Sequence, residues 1–421
     1  MTSPPIPAVA VAPDTIIRPL RTLWLLSTAH AVNHAHAALL PLVYLAVISE
    51  FAVGAGAVAF VAAVASFASG VVQLSFGALT RVVSRRAALV AGNFVMGAGL
   101  AAHSLASGLA PFAIANVISR MGGSPQHPVG NALLAEQFPP ERRGFAISAH
   151  IAGGNVGTLA VPLVGAWLIA GIGWRWTVVL FGVPAMLIAV GLFALVRESG
   201  ADRAAAREQG TVREGYRSIL RDRDLLWLYL SSVLGGGGRG LGVVNIFVPI
   251  YLARVIGLDA GTVALMYTVL LIGSVPGPLL AGWLSDRLGR KPVIVATYLL
   301  GAFSFGAFVL AGSSVLALWL GIVLLSAFNF VESPQLQALL ADITPTPMRD
   351  VSFAAYFTLA FGIGSLWTAV YGIVIEALGE AAGLPLVFLL MGAAYVVAAL
   401  AVLPIRAEER ARLNADPPAF T

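Results

Sequence analysis

The chain repeats itself. GALTRVVSRR at 77–86 returns as GWLSDRLGRK at 282–291, an offset of 205 (282 − 77). ALLAEQFPPERR at 132–143 returns as ALLADITPTPMR at 338–349, an offset of 206, and SPQ at 124–126 returns at 333–335, an offset of 209. Three echoes at nearly one spacing in 421 residues imply two homologous halves. In a duplicated helical membrane protein the binding site lies between the halves, which is the plan of a secondary transporter.

Composition fixes the solvent. Hydrophobic residues make up 58% and charged residues 11%, against about 25% charged in a soluble domain. Spans of about 20 apolar residues recur twelve times: 22–48, 57–80, 87–107, 109–136, 144–170, 174–196, 225–253, 260–284, 292–312, 314–341, 352–376 and 383–404. In lipid such segments must be helices, because their backbone groups have no water to bond. A barrel would alternate with period two, and these runs do not. The expected fold is therefore an all-α membrane protein of twelve transmembrane helices, arranged as two pseudo-symmetric six-helix bundles.

Charge sets orientation and partners. Of the 25 basic residues, 21 fall in loops on the side that carries both termini, and only Arg175 and Arg254 in loops on the other. The positive-inside rule places both termini in the cytoplasm of a cell inner (plasma) membrane. The net charge of +5 thus reports topology and gives no argument for nucleic acid. The expected organisation is a cytoplasmic arm over 1–21, a six-helix bundle over 22–196, a linker over 197–224, a second bundle over 225–404 and a tail over 405–421. The arm lacks the basic start of a cleaved signal. The chain has no cysteine, so disulfides and thiolate chemistry are excluded. It also has no GxxxxGK[ST] loop for ATP, and no cofactor is expected.

The loop motifs resemble a known family. GWLSDRLGRK is similar to the signature loop G-x-L-[AS]-D-R-x-G-R-[RK] of the major facilitator superfamily, matched at Gly282, Leu284, Asp286, Arg287, Gly289, Arg290 and Lys291. The resemblance implies a polar latch at the cytoplasmic mouth, in which Asp286 accepts charge-assisted hydrogen bonds and small Gly282 permits close helix approach. The first-half copy departs from it: Arg81 stands where Asp is expected and Ser84 replaces Gly, with Arg85 following. Gly157-x3-Val161-Pro162-x2-Gly165-Ala166 resembles the antiporter motif of the same family, less two glycines. AHAVNHAHAALLPL (29–42), GGSPQHP and SAHIAGGNVG are similar to fosmidomycin-resistance-type members. These resemblances imply alternating access by a monomer, driven by protons.

Ionisable residues inside spans are functional candidates by default. Arg239 follows Gly235–Gly238 at mid-span, where four glycines suit a broken helix lining a cavity. The repeat offset maps His34 onto position 239. Arg120, Ser124, His127 and Asn131 recur at helical spacing and share one face. His30, Asn33 and His34 share another. His30-x3-His34 has the spacing of two metal ligands, but no membrane carboxylate lies near in sequence to complete a site, and no metal is expected. Glu332 is the deep carboxylate, placed to cycle a proton or to pair permanently with Arg239 or Arg120.

The expected substrate-binding residues are Arg239, Arg120, His34, His30, Asn33, His127 and Asn245. The expected proton carriers are Glu332, His34 and His127. Two arginines against one carboxylate favour a small anionic or acid-bearing solute, since guanidinium matches carboxylate geometry. The resemblances incline the reading to proton-driven export of a small acidic solute or drug. Proton symport of an organic anion is the alternative, and a non-transporting receptor or scaffold is the alternative of another class. A membrane enzyme would need a nucleophile–base or metal constellation at one depth; only the histidines hint at one, and no enzyme is expected.

Overall fold

The structure, a computed structural model, describes residues 17–80, 82–138, 140–159, 161–198, 217, 219–344 and 349–406. The described residues are helical, with no strand among them. Ten of their helices are long and apolar enough to cross a membrane by length and composition. One of these, Ala149–Leu195, turns at Gly173 (φ 77) and counts as two crossings. The segment 109–137 adds another; it is interrupted by a 3-10 turn at Ser124–Gln126. The crossings therefore number twelve, and they are called here the first to twelfth helices. Their lipid-facing sides are apolar: Trp24, Trp167, Phe193, Leu310 and Leu316 all point outward.

Local sequence decides the ends and the breaks. Pro125 sits within the turn in the fourth helix and Pro128 just after it, where a missing N–H and a ring clash stop helical bonding. The tenth helix breaks at the repeat-equivalent place, between Val315–Phe328 and Glu332–Ile343. The first SPQ forms the break, whereas the second lies in the first turn of the helix that follows it. The seventh helix also breaks as its glycines imply: Arg223–Gly235 gives way to a 3-10 turn at Gly236–Gly238 and a distorted turn at Gly240–Val244 before Asn245–Arg254. Asp259 caps the eighth helix, and the hydroxyl and amide of Thr262 hold its carboxyl below the ordinary value.

The two loop motifs solve one corner in two ways. Gly289 sits at φ 90, which a side chain rarely adopts. Ser84, its counterpart, is extended at φ −64 and instead caps the third helix through the Ala87 amide at 3.0 Å. The loss of glycine in the first copy is therefore a change of cap.

Within the first half, the first helix packs on the fifth and the third on the sixth; within the second, the ninth packs on the twelfth. Gly153 and Gly157 bring the fifth helix onto Ser27 and Ala31, where a Cβ on Gly157 would lie 2.1 Å from the Ala31 carbonyl. The halves meet where the second helix crosses the eleventh. A Cβ on Gly70 would lie 2.2 Å from Gly362 Cα, and one on Gly56 would lie 2.6 Å from the Gly372 carbonyl. The Ala55 amide donates to Glu380 at 3.3 Å, and Asn155 donates to the Ser274 carbonyl at 3.1 Å. These contacts join the halves from mid-height to the end opposite the chain termini.

Candidate functional site

A cavity of about 250 Å³ lies between the halves. Its first-half wall carries Asn33, His34, Arg120 and His127, with Ser66 and Gln73 of the second helix. Its second-half wall carries Arg239, Asn245, Phe357 and Phe361. The repeat partners His34 and Arg239 thus face one cavity from opposite halves.

Arg239 leaves helical geometry at ψ 129 and turns into the second half. Nε donates to Glu332 Oε1 at 2.6 Å, one terminal nitrogen donates to the Ala360 carbonyl and the other to the Ser232 carbonyl at 2.9 Å. Its guanidinium lies 4.9 Å from the Phe361 ring centre. Arg239 is 6% exposed and Glu332 1%. Glu332 Oε2 is buried with no hydrogen-bond partner.

Arg120 differs. Its hydrogen bond is to the Ser66 hydroxyl at 3.3 Å, and it has no carboxylate partner among the described residues. Asn33 donates to the Gly123 carbonyl at 3.1 Å and ties the first helix to the fourth. Asn245 Oδ1 is buried without a partner. His36 bonds the Phe181 carbonyl at 2.7 Å, joining the first helix to the sixth. The expected stripe on the fourth helix is shortened: Arg120, Ser124 and His127 line the cavity, but Asn131 does not, because the proline turn ends the helical phase before it.

The histidines converge. His30 lies edge-on to His34 and His127, with ring centres at 4.5 and 4.6 Å, and stacks on His150 at 4.4 Å. His30 is fully buried, while His34 and His127 border the cavity. His127 also stacks on Phe357 of the other half at 5.9 Å. No carboxylate lies near the His30–His34 pair in sequence, but a third imidazole stands beside it in space. The third imidazole comes from the fourth helix, a neighbour in space that local spacing cannot reveal.

The latch residues lie at the end that carries the termini. Arg290 donates to Asp342 at 2.9 Å and to Ser285 at 2.7 Å. Arg85 pairs with Glu136. These pairs are equivalent under the repeat, at offsets of 205 (290 − 85) and 206 (342 − 136). Lys291 reaches the Ile405 carbonyl at 3.0 Å, and Arg287 lies over Trp283 at 3.6 Å. Among the described residues, a Cβ on Gly282 would meet nothing nearer than Gln335 at 3.8 Å, so close approach of those residues does not explain that glycine. Arg81 and the side chain of Asp286 lie outside the described residues. Sequence reasoning missed Ser66, Gln73 and Asn116 in the wall; uncharged polar residues are common in membrane helices, and only packing shows which face a cavity.

Two pseudo-symmetric helical bundles with a polar cavity between them are the architecture of a membrane transporter. The chain belongs to the Major Facilitator Superfamily, whose family model matches residues 26–365 and 236–420. It is similar to the cis,cis-muconate transport protein of Acinetobacter baylyi, 27% identical over 63% of this chain and 65% of that protein, just under two thirds of its length. It is 26% identical to the gallate transporter of Pseudomonas putida over 83% of this chain and 84% of that one. It is 25% identical to the fosmidomycin resistance protein of Escherichia coli over 84% of this chain and 86% of that one. Its fold is similar to the crystal structure of D-xylose-proton symporter, with a TM-score of 0.76 at 18% identity over 90% of this chain and 96% of that one.

Proposed function

We propose that this transporter carries a small organic anion together with protons, and that Arg120 is the anion's first partner. The observation that carries the reading is a guanidinium facing the cavity with a hydroxyl, and no carboxylate, for company. An intramembrane arginine is costly without a counter-charge, and a substrate carboxylate supplies it by a two-pronged match. Two of the similar proteins are named for muconate and gallate, both carboxylic acids.

Glu332 is the proposed proton carrier. A proton on the unpartnered Oε2 would neutralise the carboxylate and loosen its hold on Arg239. Arg239 would then offer the cavity a second guanidinium. Proton and anion thus load together, which favours co-transport over the export implied by the fifth-helix motif. His34 and His127 border the anion's place, and Asn33 and Asn245 supply amides.

The chain lies in the cell inner membrane with both termini cytoplasmic, a topology supported by the asymmetry of its arginines, and is read as a monomer like the family it belongs to. Its closed end is then the outer one. The test is uptake of labelled gallate and muconate into proteoliposomes with an imposed pH gradient. Accumulation that collapses with the gradient is expected. Flux of neither acid, in either direction, would refute the reading.

A further inference from the structure

We propose that His30, His34 and His127 form a binding site for a divalent transition-metal ion of the zinc, cobalt or nickel kind, open on one side to the cavity. This goes beyond the transport reading, in which His30 and its neighbours are expected to touch the substrate and no metal is expected.

The geometry is that of a ligand set. One ring nitrogen from each of the three histidines lies within 4.8 Å of the others. Zinc–imidazole bonds of about 2.0–2.1 Å place tetrahedral ligands roughly 3.3 Å apart, so modest ring rotations would close the site. His30 and His34 stand one helical turn apart on one face of the first helix. His127 comes from the proline turn of the fourth helix, where the chain leaves regular geometry.

The hydrogen bonds leave ring nitrogens free. His30 Nδ1 sits 2.8 Å from the His150 carbonyl, so it must be the protonated nitrogen, and Nε2 keeps its lone pair. That carbonyl is the kind of outer partner that orients a metal-bound imidazole. His30 Nε2 and His34 Nδ1 are both buried with no hydrogen-bond partner. Buried polar atoms left so are destabilising, and a shared metal ion would satisfy both. Gly154 leaves room for the His30 ring, since a Cβ there would lie 2.8 Å from it.

The surroundings select the ion. An all-imidazole set suits zinc, cobalt, nickel and copper, whereas magnesium and calcium want oxygen. Arg120 borders the same cavity and is a like charge, so the open fourth position calls for an anion, either hydroxide or a carboxylate from the cavity.

The test uses untagged, purified full-length protein titrated with Co²⁺ and followed by visible d–d absorption. One equivalent per chain should give saturable bands that Zn²⁺ displaces. Removing a ligand should weaken binding by more than the roughly 10–100-fold that outer-partner changes cost. His34→Gln and His127→Gln should each do so, while His103→Gln, a buried histidine elsewhere, should not. Half-buried His127 keeps the test valid if a change at His34 prevents folding. Arg120→Ala should leave the bands in place whatever becomes of anion binding, which separates this site from the transport reading. Folded wild-type protein without bands would overturn the proposal, as would bands that survive both substitutions.

Discussion

Arg239 of the broken seventh helix and Glu332 of the tenth form an ion pair at 2.6 Å wholly within the second half, both nearly excluded from solvent. Removing one member of a buried pair strands the other charge, at about 3–5 kcal/mol. Arg239→Ala should therefore lower the thermal stability of the purified protein sharply, and adding Glu332→Gln should recover most of it. An Arg239→Ala protein as stable as the parent would mean that the pair does not hold this half together.

Arg120 makes one long hydrogen bond to a hydroxyl, so its loss should hardly change stability. A charged hydrogen bond contributes about 1.5–3 kcal/mol, which is roughly a ten- to hundredfold change in affinity. Arg120→Ala should weaken gallate binding by that factor, and Arg120→Lys should recover only part, since a point charge lacks the fork. Unchanged affinity in Arg120→Ala would place the anion elsewhere.

Glu332→Gln keeps the shape of the side chain but cannot cycle a proton. The variant should exchange labelled for unlabelled substrate across proteoliposomes, yet fail to concentrate it when a pH gradient is imposed. Retained accumulation would shift the proton carrier to His34 or His127.

The repeat-related pairs Arg85–Glu136 and Arg290–Asp342 differ in exposure: Glu136 is 9% exposed and Asp342 38%. Asp342→Asn should cost no more than ~1 kcal/mol, as exposed pairs do, and Glu136→Gln should cost more in a melting comparison. If these loops act as latches, Asp286→Asn and Asp342→Asn should slow transport while leaving the amount of folded protein unchanged. Parent-like transport rates in both would reduce the loops to topology signals.

Much of the fold was legible because lipid leaves few choices. Long apolar runs must be helices, and the echoes at offsets near 205 made the chain two halves. Glycines before Arg239 marked a break, and the first SPQ stood at one, with the second just past another. Side-chain chemistry also marked Arg239, Glu332, Arg120 and the histidines as unusual at their depth.

Partnership was decided by packing. Nothing local says that Arg239 meets Glu332, 93 residues away, while Arg120 hydrogen-bonds Ser66. Nor does spacing bring His127 to His30, or tell that Ser66 and Gln73 face the cavity while Asn131 turns from it. Sequence by itself determined which segments enter the membrane and which residues are costly there, because transfer into lipid depends on each side chain's own chemistry. Which of those costly residues neutralise one another, and which remain open to a ligand, depends on distances between different helices, and only the tertiary structure sets those.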